Sequence, residues 1–282
     1  MAFQKFKPEI WSPLLLVALR KALVYTAFTN RDYEGEIAEA GDTVRITSVG
    51  RPTIANYVPG VTTISPETVA DTQRTLVVDQ AKYFAVQVDD VDKRQALGGI
   101  MDQLKDEAAF GLADVVDQYI SSFYTSIQAA NQLGSITVNS ATTPTDAYDK
   151  VLVPLKVKLD KANVATPSRS VVITPDLHGC LLRDARFVKV NESGTSDGLR
   201  NGMVGRAAGF DILLSNNAPN TTGNEFATIA GNDRAITFAE QISKTEAYRP
   251  QSSFSDAVKG LLLYGAKNVR PDSLASALVT VS

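Results

Sequence analysis

The sequence holds one cysteine, one histidine and one tryptophan. A lone Cys180 excludes an internal disulfide, so the fold rests on packing and is compatible with a reducing cytoplasm. One histidine and one cysteine cannot furnish a zinc site of the usual kind. Neither sign of charge dominates: 28 Lys+Arg face 31 Asp+Glu, for a net charge of -3. That balance gives no basic surface of the sort that binds nucleic acid by neutralising phosphates. No apolar run reaches the roughly 20 residues a membrane span requires. Internal repeats and low-complexity tracts are also lacking, which excludes solenoids and disordered tails. What remains is 282 residues at 44% hydrophobic, enough to bury a sizeable core as one large domain or two smaller ones.

The N-terminal stretch imitates a signal peptide, with Lys5 and Lys7 ahead of the apolar run Ile10 to Leu19. Arg20 and Lys21 follow at once, where cleavage would need small residues. Pro13 after Ser12 suits the first turn of a helix, and Leu16, Leu19 and Leu23 recur at helical spacing. The run reads as a short amphipathic helix that docks on another surface.

Alternation then signals strands. Val44 and Ile46 alternate with Thr43, Arg45 and Thr47. Later, Phe84, Val86 and Val88 share one face, with Tyr83, Gln87 and Asp89 on the other. Between these runs, residues 50–73 are rich in Pro, Gly, Thr and Ser. A structureless stretch of that length does not belong inside a compact domain. Two strands joined by a long polar tip form a projecting hairpin arm instead. An isolated two-stranded arm is marginal in water, so it implies a partner to lie on, and a second copy of the chain is the simplest one.

A long helix follows, expected from about Lys93 to Ala130, or roughly 55 Å at 1.5 Å per residue. Asp89, Asp90 and Asp92 cap its start. Leu97, Met101, Leu104, Ala108, Leu112, Val115, Tyr119, Phe123 and Ile127 mark its apolar stripe, and Gly98, Gly99 and Gly111 are places to bend. Past Gly134 the pattern mixes helix and strand: a helix over Tyr148 to Leu159 with Pro154 at a start or kink, a buried strand Ser170 to Thr174, a short helix opened by Pro175-Asp176, and a buried strand Phe210 to Leu214. Weaker strand signals run over 226–229, 235–238, 260–264 and 274–281. The class is α+β.

The acids at 89, 90 and 92 fit a helix cap better than an all-carboxylate metal site. His178 and Cys180 are the only candidates for a thiol hydrolase, yet at i and i+2 on a helix they point about 200° apart. The glycines at 194, 198, 202, 205 and 209 match neither dinucleotide nor P-loop spacing and read as turns. No catalytic residue, metal or cofactor is assigned.

The ordered series of short stretches resembles one family. These are Pro8-Glu9-Ile10-Trp11-Ser12, Asp32-Tyr33-Glu34-Gly35-Glu36-Ile37, Gly41-Asp42-Thr43-Val44, Leu159-Asp160-Lys161-Ala162-Asn163-Val164, Val171-Val172-Ile173-Thr174-Pro175-Asp176-Leu177-His178, Leu199-Arg200-Asn201-Gly202, and Tyr264-Gly265-Ala266-Lys267-Asn268-Val269-Arg270-Pro271. In this order, over nearly the whole chain, it is similar to major capsid proteins of tailed bacteriophages, the Hong Kong ninety-seven-type fold shared with encapsulins. The resemblance implies an N-terminal arm (1–40), an extended loop (41–90), a peripheral domain with a spine helix (91–145 and about 240–272) and an axial domain (146–239), with a last strand at 273–282. It implies a homo-oligomer of pentamers and hexamers in an icosahedral shell around double-stranded DNA, assembled in the host cytoplasm. Portal, decoration and scaffolding proteins are implied partners, the last separately encoded because no propeptide-like helix precedes the arm. Expected contact residues are Trp11, Leu15 and Leu16 on the arm, and Pro52, Tyr57, Pro59 and Pro66 on the loop tip. An encapsulin-like shell with an enzyme cargo and a cytosolic hydrolase using Cys180 and His178 are the alternatives.

Overall fold

Two β-sheets and one long helix organise the chain. The computed structural model describes residues 24–32, 43–49, 52–59, 63, 66–68, 71–89, 100–188, 205–252 and 254–282. The first sheet has four strands in the order β1 (Thr29–Asn30), β11 (Ile236–Tyr248), β12 (Ser255–Asn268), β4 (Gln80–Asp89). The second has the order β5 (Gln132–Val138), β13 (Leu274–Val281), β10 (Glu225–Asn232), β6 (Arg169–Ile173), β8 (Phe210–Leu214), β7 (Arg206–Ala207), with β9 (Asn220–Thr222) also on β10. A separate two-stranded ladder pairs β2 (Thr43–Val49) with β3 (Asp71–Val77), Thr43 opposite Val77 and Val49 opposite Asp71. The mixed α+β class is as read from the sequence.

The hairpin arm exists, with a different return strand. The run Gln80–Asp89 pairs with β12, Val86 opposite Val258, and the strand that closes the hairpin is Asp71–Val77. Thr-rich and without clean alternation, that segment gave little strand signal. The alternation read in β4 holds: Phe84, Val86 and Val88 turn inward and Tyr83 and Gln87 face out.

Helix α1 runs Ile100–Ser121 and then tightens into a 3₁₀ turn, Ser122–Ser126. Its 22 residues span about 33 Å, short of the 55 Å expected; residues 93–99 lie outside the described residues. The hydroxyls end it. Ser121, Ser122 and Ser126 donate to the carbonyls of Gln118, Tyr119 and Phe123 at 2.9, 2.6 and 2.8 Å, which competes with the i→i−4 ladder. The buried stripe is Ala109, Leu112, Ala113, Val116 and Ile120, one position off the expected face. Two alanines let the helix approach the sheet closely. Phe110 is left outside.

The second sheet is a shared wall. Val172, Ile229 and Leu274 point into a core built on α1, Tyr25, Phe28, Phe238 and Tyr264. Their strand neighbours Val171, Ile173, Ala230 and Ala275 point into another, built on α2 (Val153–Lys161) and α3 (Pro175–Arg183). Both faces of β6 are thus buried, which is why Ser170 to Ile173 reads as an unbroken apolar run.

Local chemistry sets the helix ends. Pro154 has no N–H to give and its ring crowds the carbonyl four residues back. The turn before it, Ala147–Leu152, widens into a π-helix. At the far end of α2, the N–H groups of Asn163 and Val164 donate to the carbonyls of Asp160 and Leu159, both at 3.1 Å. With Asn163 at φ 56, this is a Schellman closure. Thr174 caps α3 by accepting from Leu177 N–H.

Candidate assembly surfaces

The hairpin leaves the body from a fixed base. Ile46 and Leu76 bury against Ala239, with Val269 beside them, and the Arg74 guanidinium donates to the Asn268 carbonyl at 2.8 Å. Gly265 lets β3 cross here, because a Cβ at that position would collide with the Val77 carbonyl. At the other end of the ladder the tip is uncovered: Ile54 is 86% exposed, Tyr57 64% and Val58 52%. Pro52, Pro59 and Pro66 are exposed as well. Glu67 joins the two limbs of the tip, accepting from the N–H of Thr53 at 3.0 Å and from its hydroxyl at 3.1 Å. The tip is therefore braced yet offers its apolar groups to solvent.

Trp11, Leu15 and Leu16 lie outside the described residues, as do the glycines at 194, 198 and 202 and the acids Asp90 and Asp92. The described chain enters at Val24. There the Asp117 carboxylate of α1 accepts the N–H groups of Val24 and Tyr25 at 3.0 and 3.1 Å. Farther on, the Arg31 guanidinium donates to Glu240 at 2.6 Å and lies over the Phe238 ring. These contacts hold residues 24–31 to helix α1 and the four-stranded sheet. Sequence reading missed Asp117, whose position among apolar residues was the available signal.

Two further large side chains at the four-stranded sheet are exposed, one on β4 and one in the turn before β12. Tyr83 and Phe254 are 78% and 82% exposed. Nearby Lys259 sits over the Tyr248 ring and bonds Glu246 at 3.0 Å. Tyr83 was legible from alternation in β4, whereas Phe254 sits in a turn that carries no period.

The hydrolase pair is not assembled. Cys180 is 1% exposed, packed among Leu177, Leu181 and the α2 leucines. Burial pushes its thiol up and the His178 imidazole down, the opposite of an activated thiolate–imidazolium pair. Among the described residues, no three His, Cys, Asp or Glu side chains converge to hold a metal ion, and no helix is long and apolar enough to cross a membrane.

The profile of the phage capsid protein family matches residues 70–277. The chain belongs to the phage capsid protein family. A solved structure from Mycobacterium phage Che8 is 30% identical and superposes with a TM-score of 0.75 over 90% of each chain. The capsid of cyanophage P-SCSP1u matches at 17% identity and TM-score 0.72, over 91% of this chain and 87% of that one. A virus-like particle from Pyrococcus furiosus matches at 13% identity and TM-score 0.57, over 95% and 98%. The last two show the shared fold. No curated protein matches the chain significantly. The molecule is a major capsid protein of the Hong Kong ninety-seven type, a subunit of a phage head shell.

Proposed function

We propose that this capsid protein closes its shell by laying the 50–70 hairpin tip of each copy across a neighbouring copy. The supporting observation is the tip itself, a braced loop whose Ile54, Tyr57 and Val58 are uncovered at the far end of a ladder whose base is buried against Ala239. Apolar side chains held out on an isolated ladder are unfavourable in a lone subunit and favourable in an assembly. The subunits form pentamers and hexamers of an icosahedral head, with Trp11, Leu15 and Leu16 of the N-terminal arm as further anchors. Each contact is weak, and a closed shell gives every subunit several at once, so stability comes from multivalency.

The head encloses double-stranded DNA without reading its sequence, in keeping with the net charge of -3. The subunit performs no catalysis and takes no cofactor. A separate scaffolding protein, a portal and decoration proteins are its partners, and assembly takes place in the host cytoplasm before the virion is released.

Electron microscopy and light scattering of the expressed protein, alone and with its scaffold, test the proposal. Wild type should form closed particles. Replacing Ile54, Tyr57 and Val58 together with Ser should leave the melting temperature within about 2 °C, since these groups touch no core, and should abolish particles. Normal particles from the triple variant would refute a bridging tip.

A further inference from the structure

A groove of about 460 Å³ opens where three connections meet: the loop from α2 to β6, the turn from β10 to β11, and the link from β12 to β13. Its walls are rigid. The buried Arg169 guanidinium ties the first loop down, donating to Asp160 at 2.6 Å, to the Val164 carbonyl at 2.6 Å and to the Ala165 carbonyl at 3.0 Å. Ser168, on the rim, is held at φ 58, a left-handed conformation that a serine adopts only where its surroundings impose it. The other two walls are joined through Ala235, whose carbonyl accepts from Val269 N–H at 3.0 Å and Arg270 N–H at 3.1 Å. Asn131, itself buried, fixes the last link by donating to the carbonyls of Asp272 and Leu274 at 2.8 and 3.1 Å.

The backbone of these walls is therefore committed while their charged side chains are not. Arg234 and Arg270 line the groove together with Asp233 and Asp272. Among the described residues none of these four charged side chains takes part in an ion pair or a hydrogen bond, although the backbones of Arg234 and Asp272 do bond neighbouring side chains. Two guanidiniums on hydrogen-bonded turns suit a carboxylate or phosphate oxygen pair. The aspartates separate those two ligands. A nucleic-acid backbone offers one negative charge per about 1.7 Å and no positive one, so it would run against both acids. A polypeptide segment of mixed charge satisfies all four.

We propose that the groove is a contact between copies: a segment of a neighbouring subunit enters it, presenting a carboxylate to Arg234 and Arg270 and a cation to Asp233 and Asp272. This rests on the shell reading above and adds a contact remote from the hairpin tip. The test places the photo-crosslinking residue p-benzoylphenylalanine at Ala165, an exposed position on the groove wall, and irradiates assembled wild-type-background particles. Covalent dimers in which position 165 is joined to a second copy are expected. Crosslinks only to DNA, to another protein, or within the same chain would overturn the proposal. In parallel, R234E/R270E should lower particle yield about tenfold with an unchanged melting temperature, and R234K/R270K should recover part of it. Undiminished yield from the reversed pair counts against the groove alone, whereas absence of particles from wild type removes the shell reading and this contact with it.

Discussion

The Asp117 carboxylate accepts the backbone N–H of Val24 at 3.0 Å, joining the last turns of helix α1 to a residue 93 positions earlier. A second N–H, from Tyr25, reaches the same oxygen at 3.1 Å, and the side chain is 2% exposed. Truncating it strands one buried and one part-buried donor, so Asp117→Ala is expected to cost about 1–3 kcal/mol, measured by denaturant unfolding of the unassembled subunit.

The same residue sets a pH dependence. Burial raises the Asp117 carboxyl above the ordinary carboxylate range, with nearby Asp114 adding to the effect, against the opposing hydrogen bonds from Tyr25, Val24 and Asn217. A raised value in the fold means the native protein holds this proton more tightly than the unfolded chain. Its contribution to stability is fully present below the ordinary carboxylate value and is lost as pH climbs through the raised one. Asp117→Asn, which keeps an acceptor and removes the charge, should gain on wild type as pH rises from about 4 to about 7. Melting curves of both proteins across that range would show it; a constant difference would contradict it.

Gly265 governs the hairpin base. Gly265→Ala forces a methyl against the Val77 carbonyl and the Val78 Cα, backbone atoms with no freedom to step aside. Overpacking of this kind costs about 1–3 kcal/mol. Hydrogen exchange should quicken first in 43–49 and 71–77, because those strands meet the body at this crossing.

The turn between β7 and β8 carries a correctable strain. Ala207 pairs with Phe210, leaving Ala208 at φ 50 and Gly209 at φ 82 as a two-residue loop. Both dihedrals belong to a type I′ turn, which favours Asn-Gly. Ala208→Asn or Ala208→Gly should stabilise the subunit by about 1 kcal/mol, read from the denaturation midpoint.

Cys180 should resist alkylation in the native subunit at about pH 8 and react fully in denaturant, since its thiol is buried and hard to ionise. Cys180→Ala is expected to leave particle formation intact. Fast native-state alkylation would show that the thiol is accessible after all.

Legibility from sequence followed the range of the interaction. The buried strand read at 170–174 is written in adjacent residues and stands as Arg169–Ile173; Thr174, read as its last residue, instead caps the next helix. The return strand 71–77 was hidden because its stability comes from pairing with 43–49 and from a base contact with Ala239, not from its own pattern. The helix end at Ser121 was misplaced because the apolar period continues past the point where serine hydroxyls turn the backbone. The strands at 236–248 and 255–268 outran their sequence signals, since cross-strand partners extend them. The tip prolines and Tyr57, read as contacts to a neighbouring copy, are exposed in the single subunit. Asp117, Phe254 and the groove charges went unread, for each draws its setting from segments distant in sequence.

The seven-stranded wall has a mechanical consequence. Because β6, β10 and β13 lend one side to the helix-α1 core and the reverse side to the α2–α3 core, neither half of the subunit can yield without dragging its twin. A push arriving at one rim travels through tightly packed side chains to the opposite rim. The tile is stiff, and a head built from it flexes at its seams.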